Sequence, residues 1–226
     1  MVDFIISDNI QYMYTMGNGL KTLAELAELP FFSIGTAKML LSNETYLRIL
    51  LSRYVKGNKV IRLKNGFYTT RSYVDNTMKK GIFTSYLESL ATSLYPNSYL
   101  SMEYVLQKHN LLTESVRNFT LVSRKKTAAF LNPLGKFIYH NIKKDLFLGF
   151  KLAERDGFNV YEASAAKALF DYLYFRKPFL VNRDAIKELR INVDALEKSD
   201  LREFDKYVML DASKKMKLIS EILFKI

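Results

Sequence analysis

The side chains able to do chemistry in this sequence are mostly cations. Among 226 residues there is no cysteine, and the only histidines are His109 and His140. A disulfide framework, a thiolate zinc site and a thiol nucleophile are therefore excluded, and little is left for a multi-histidine metal centre. Lysine and arginine number 34 against 23 acids, a net charge of +11. The excess is concentrated in two islands. Residues 41–71 hold seven basic side chains against Glu44, net +6, and residues 117–151 hold eight against Asp145, net +7. The rest of the chain nearly cancels, which points to directed surfaces. Such islands are suited to neutralising a polyanion, above all nucleic-acid phosphate. A solvated face is the plainer alternative for either island taken alone.

Covalent chemistry has weaker candidates. Gly17-Asn18-Gly19 is a lone Gly-x-Gly without the third glycine or the preceding strand of a nucleotide loop. Lys167 and Asp171 lie one helical turn apart, the spacing of an i,i+4 ion pair as much as of a catalytic pair. His140 sits between Tyr139 and Asn141 in a basic stretch without a nearby carboxylate, which suits packing or nucleic-acid contact better than general base catalysis. The sequence thus predicts no catalytic residue, no metal and no cofactor. No apolar run approaches the ~18 residues of a membrane span. The start, Met1-Val2-Asp3, lacks the basic and apolar regions of a secretory leader, so a cytoplasmic protein without a membrane partner is expected.

The first island is carried by a legible set of elements. Apolar residues at 20, 23, 26, 27 and 29 predict a helix closed by Pro30. A short second helix is expected from Ile34 to Leu41 with Ser33 as N-cap. Ser42-Asn43 caps a third, in which Tyr46, Leu47, Leu50, Leu51, Tyr54 and Val55 share one face up to Gly57. Lys59 to Thr70 alternates around Lys64-Asn65-Gly66, a hairpin signal. Three helices followed by a hairpin predict a winged helix-turn-helix over residues 1–75. On that fold the third helix enters the major groove, making Asn43, Glu44, Thr45 and Arg48 the base-reading candidates. Arg53, Lys56, Lys59, Arg62, Lys64, Asn65 and Arg71 would contact phosphate from the helix end and the wing. Asn43 and Thr45 would equally serve as caps alone, and a winged helix can also be a protein-interaction module.

Residues 71–82 are polar and are expected to be a linker, leaving residues 82–226 as a second domain. Helices are expected over Thr84 to Leu94 and Met102 to His109, followed by strands at Asn118–Ser123, Thr127–Phe130, Phe137–Ile142, Leu146–Ala153 and Phe158–Tyr161. Helix returns at Ala165–Tyr174 and in an amphipathic tail over 182–226. The fold class is α+β, a winged helix followed by a mixed domain with a small sheet flanked by helices. Arg124, Lys125 and Lys126 close one strand, and Lys136, Lys143 and Lys144 fall at neighbouring turns. If those turns share one edge of the sheet, the six make a second basic patch.

An ordered set of segments resembles the AbiEi-type antitoxins of toxin–antitoxin systems over about residues 18–180. The set is Ser98–Leu106, His109–Leu112, Thr120–Ser123, Asn132–Gly135, Phe137–Ile142 and Lys167-Ala168-Leu169-Phe170-Asp171-Tyr172-Leu173-Tyr174. The wing Ile61–Tyr68 resembles the end of that family's N-terminal domain. The family commonly has Pro-Glu where this chain has Ala165-Ala166. The resemblance implies a repressor that binds inverted repeats in double-stranded promoter DNA. It also implies a C-terminal domain that counteracts a nucleotidyltransferase-like toxin, without necessarily forming a stable complex with it. The toxin's own Gly-Ser and paired aspartates are missing from this chain. A regulator of other genes, with a C-terminal interaction domain and no antitoxin role, is the alternative. The second patch then either extends the DNA footprint or faces the toxin or its nucleic-acid substrate.

Overall fold

A computed structural model describes residues 19–114 and 117–224 of this mixed α+β chain. Gly17 and Asn18 lie outside the described residues. Two compact units are present. The first ends at Tyr86 and includes Asn132–Leu134; the second comprises Leu87–Leu131 and the chain from Gly135 onward.

In the first unit, helix α1 (19–26) is followed by a two-residue strand β1 (Phe32–Ser33). Ser33 then caps α2 (Ile34–Leu40), its Oγ accepting from the Thr36 amide at 3.0 Å. Asn43 caps α3 (Glu44–Lys56) in the same way, with Oδ1 3.0 Å from the Tyr46 amide. Both caps satisfy amides that the first helical turn leaves without partners. Strands β2 (Val60–Lys64) and β3 (Phe67–Thr70) form the expected hairpin, and β1 pairs with β3 to complete a sheet of order β1-β3-β2. At the tip, Gly66 takes the left-handed turn conformation, at φ 72°. Leu26, Phe32, Ala37, Leu47, Leu51, Val60 and Tyr68 form the core, so each element contributes to one apolar cluster.

The expected linker is instead a helix. α4 (Arg71–Lys79) is capped by Thr70, whose Oγ1 accepts from the Tyr73 amide. Only Val74 and Thr77 are buried along it, too little apolar content to mark a helix by periodicity. α5 (Phe83–Leu94) follows, and the division between the units falls within it.

The second unit is built on six strands in the order β6-β7-β5-β4-β9-β8. Its unexpected member is β4 (Ser98–Leu100), which pairs antiparallel with β5 (Phe119–Ser123) and parallel with β9 (Phe158–Ala163). Helix α6 (Met102–Lys108) therefore comes after the sheet has begun, whereas the sequence suggests two helices before any strand. β5 and β7 (Gly135–Asn141) run parallel, Thr120 opposite Ile138 and Ser123 opposite Asn141. β6 (Ala128–Asn132) and β8 (Phe150–Arg155) are the edges. The expected strand over Leu146–Ala153 begins only at Phe150. Lys144–Leu146 is a 3₁₀ turn, and Gly149 takes φ 78° with the Tyr207 hydroxyl packed where a Cβ would stand. Helix α7 (Ala165–Arg176) is buried continuously from Ala165 to Leu173 and packs on α6 and on α9 (Lys198–Asp211). The tail is broken into α8 (Arg183–Lys187), a 3₁₀ turn at Val193–Ala195, α9 and α10 (Lys214–Phe224). No helix among the described residues is long and apolar enough to cross a membrane.

Candidate nucleic-acid interface

The first basic island surrounds an open groove of about 370 Å³ between α3 and the β2–β3 hairpin. Arg48 and Lys56 reach it from the helix, and Arg62 and Asn65 from the hairpin. Tyr68, Leu51 and Val55 form its floor, with Ser52 beside them. The pattern follows from helical spacing: residues 48, 52, 55 and 56 share the face of α3 next to that turned into the core. Arg62 donates to Asn65 Oδ1 at 3.0 Å, so the hairpin holds one of its own cations in place. Ser52 is not among the sequence candidates; its position one turn beyond Arg48 is the signal that could have found it.

The base-reading candidates are less free than their positions suggest. Asn43 spends its side-chain oxygen on the helix cap, and Thr45 is exposed. Glu44 accepts from Lys38 Nζ at 2.6 Å and from Arg48 at 2.7 and 3.0 Å. Those hydrogen bonds, from Lys38 first and then Arg48, hold the Glu44 carboxyl down at about 2. Glu44 is therefore an anion that keeps the Arg48 guanidinium in place on the exposed face of α3. Lys38 is a cation that sequence reasoning leaves out, since it belongs to the preceding helix.

The remaining candidates divide by environment. Arg53, Lys56 and Lys59 are exposed, with Lys59 Nζ 5.8 Å from the Tyr54 ring centre, and Lys64 Nζ lies 5.7 Å from that of Phe67. Arg71 is half-buried and donates to Asn58 Oδ1 at 2.8 Å, while its amide donates to the Lys59 carbonyl. It braces the turn between α3 and β2.

The second patch is split by sheet topology. Because β5 and β7 are parallel, their C-terminal ends emerge together. Ile142 donates its amide to the Ser123 carbonyl, and Asn141 Nδ2 donates to the carbonyls of Arg124 and Lys125 at 3.2 and 2.8 Å. Arg124, Lys125 and Lys126 thus share one end of the sheet with Lys143 and Lys144. Lys136 lies next to the start of β7, a strand length of roughly 20 Å away. The sequence predicts one patch of six residues, and five occupy it. Lys125 Nζ lies 5.0 Å from the centre of the Tyr95 ring.

The candidates for covalent chemistry also find their places. Lys167 and Asp171 are fully buried and 2.5 Å apart, and Asp171 also accepts from Ser101 and Tyr99 at 2.8 and 3.0 Å. Burial raises the Asp171 carboxyl, with the Lys167 ammonium and the two hydroxyls opposing it. His140, expected to have no carboxylate near it, lines a cleft with Glu103, which lies 37 positions earlier in the chain. Burial lowers the imidazole; the field of Glu103 raises it and that of Arg176 lowers it further. Among the described residues no cluster of three or more His, Asp or Glu is placed to hold a metal ion. No family model matches the chain, and no curated protein is significantly similar to it.

Proposed function

We propose that the first unit is a winged helix that binds double-stranded DNA, and that the chain is an antitoxin and autorepressor of a toxin–antitoxin operon. The observation carrying the DNA-binding half is the groove between α3 and the hairpin, into which Arg48, Lys56 and Arg62 converge from two elements. A helix of 13 residues with exposed polar side chains at its N-terminal end has the dimensions to lie in a major groove. The hairpin beside it supplies cations at the height of the flanking backbone. The antitoxin half rests on the ordered resemblance of the second unit's segments.

The test is a gel shift on the DNA upstream of the chain's own reading frame. Arg48→Ala, Arg53→Ala and Arg62→Ala together should abolish the shift at moderate salt. The slope of log affinity against log salt should flatten by roughly 0.9 for each phosphate that is no longer neutralised. Unchanged binding by the triple variant would refute the winged-helix reading. The antitoxin half is read by growth rescue on co-expression with an adjacent nucleotidyltransferase-like protein. Charge reversal of Arg124, Lys125 and Lys126 that ends rescue while repression persists would assign the second patch to the toxin. Lost operator binding would assign it to DNA.

A further inference from the structure

The second unit contains a cleft of about 590 Å³ that the DNA reading does not use. It lies on the face of the sheet where β7 presents Ile138 and His140, both half-buried and two residues apart. α6 contributes Glu103 and the end of α7 contributes Phe175 and Arg176; Arg117, which precedes β5, completes the cationic side.

Three features of this cleft point to one kind of occupant. First, the His140 and Phe175 rings lie 5.0 Å apart, centre to centre, at 39°, giving a cleft with aromatic walls. Burial keeps His140 below its ordinary value, so it presents a neutral ring with one donor and one acceptor. Second, the Glu103–Arg176 ion pair is incompletely satisfied. Arg176 donates one hydrogen bond, 2.9 Å to Glu103 Oε1, and its guanidinium rests 4.4 Å from the Tyr172 ring centre. Glu103 Oε2 and Arg176 Nε are both buried without a partner among the described residues. Those two atoms have no exposed surface, but the side chains as a whole are 23% and 43% exposed at the cleft wall, so carboxylate and guanidinium offer an acceptor beside a donor to an occupant. Third, the backbone beside the cleft is in an uncommon conformation. Met102, which lines it, is a non-glycine residue at φ 57°, although it opens a helix.

We propose that this cleft binds a nucleobase, with Glu103 and Arg176 meeting adjacent donor and acceptor atoms on the base edge. The His140–Phe175 pair, whose rings are in mutual contact, forms one wall on which the base face rests, and Arg117 meets the phosphate. Every base carries a donor beside an acceptor on its pairing edge, together with a flat π face, so one occupant pairs with the exposed parts of both charged groups and stacks on the aromatic wall. In a duplex those edges are already paired and the faces stacked. The base therefore belongs to a free nucleotide or to a single strand. This inference is independent of the DNA reading, because all its residues belong to the second unit.

The experiment is isothermal titration of the full-length protein with the four nucleoside 5′-monophosphates, ribose 5-phosphate and single-stranded octanucleotides. At least one mononucleotide or single strand should bind ten times more tightly than ribose 5-phosphate, and should do so equally in the Arg48→Ala, Arg53→Ala, Arg62→Ala variant that removes the proposed duplex contacts. Binding of mononucleotides identifies a free nucleotide as the ligand, and binding of octanucleotides alone identifies a strand; both support the site. Glu103→Gln and Phe175→Leu should each weaken binding at least tenfold. Circular dichroism melting confirms that each variant is folded, and Lys214→Glu, at an exposed position of α10, serves as a surface control. The proposal fails if no base-containing ligand binds at millimolar concentration. It also fails if ribose 5-phosphate binds equally well, or if both folded cleft variants bind as the wild type does.

Discussion

The chain contains two i,i+4 ion pairs with the same pattern in sequence and different physical consequences. Glu44–Arg48 lies on α3 with side chains 40% and 57% exposed, and Lys167–Asp171 lies on α7 with both at 0%. In the first, water screens the attraction and either partner can be exchanged for solvent or for a phosphate. In the second, neither charge can be rehydrated without opening the core. Asp171 instead collects Ser101 and Tyr99, and the Lys167 ammonium lies within 6 Å of the Tyr99, Phe170 and Tyr207 ring centres. The first pair is therefore available for recognition, whereas the second specifies how β4, α6, α7 and α9 meet.

The largest effect should come from breaking the sealed pair. Asp171→Asn keeps the shape and the hydroxyl partners but leaves the Lys167 ammonium buried without a counter-charge. A cost of about 3–5 kcal/mol is expected, lowering the melting temperature by at least roughly 6 °C. Lys167→Met combined with Asp171→Leu should recover most of that loss, because an apolar pair of similar volume needs no compensation. If Asp171→Asn melts like the wild type, the pair does not hold the unit together and the contrast with Glu44–Arg48 collapses.

What was legible in the sequence follows the same division. Asn43, Gly57 and Asn65-Gly66 mark α3 and the hairpin through local hydrogen bonding and turn chemistry, which need no distant partner. β4 was not legible because three residues carry no period; Ser98–Leu100 is a strand only because β5 and β9 flank it. α4 was hidden by its polar composition and depends on the Thr70 cap. The groove could be anticipated residue by residue from helical spacing and the hairpin. The shared hold of Glu44 on Lys38 and Arg48 could not, since Lys38 belongs to another helix. The cleft was invisible for the same reason: His140 and Glu103 approach through tertiary packing, so His140's neighbours in sequence include no carboxylate.

A smaller effect should separate, by pH, a buried histidine without an ion-pair partner from a similarly buried but ion-paired carboxylate. The His140 value is depressed by burial, so its neutral form favours the folded state. That contribution is fully present above the ordinary histidine value of 6.5 and is lost as pH falls through the depressed folded value. Burial alone would raise Glu162, but the Arg155 and Lys108 bonds outweigh it and hold the carboxyl below 4.5. Its contribution persists at mild acidity and disappears only below that value. Melting temperatures of the wild type should therefore begin to fall between about pH 7 and pH 5, before Glu162 titrates. His140→Gln should flatten that early phase and leave the later one. Identical profiles for the two proteins would show that His140 is not shielded as its burial implies.

The smallest effect on stability should come from the exposed pair. Glu44→Gln removes an anion that is already solvated, and the melting temperature should change by no more than about a degree. The consequence should appear in binding instead, because Arg48 and Lys38 lose a competitor for phosphate and a repulsive charge leaves the proposed DNA face. Affinity for duplex DNA should rise severalfold, with a salt dependence steeper by roughly one unit of log slope. At neutral pH this comparison is clean, since a carboxyl held near 2 is fully ionised in the wild type. Gel shifts at two salt concentrations are sufficient to measure it. Weaker binding by Glu44→Gln would mean that Glu44 accepts from a base edge, which would make it a reader of sequence and not a competitor for Arg48.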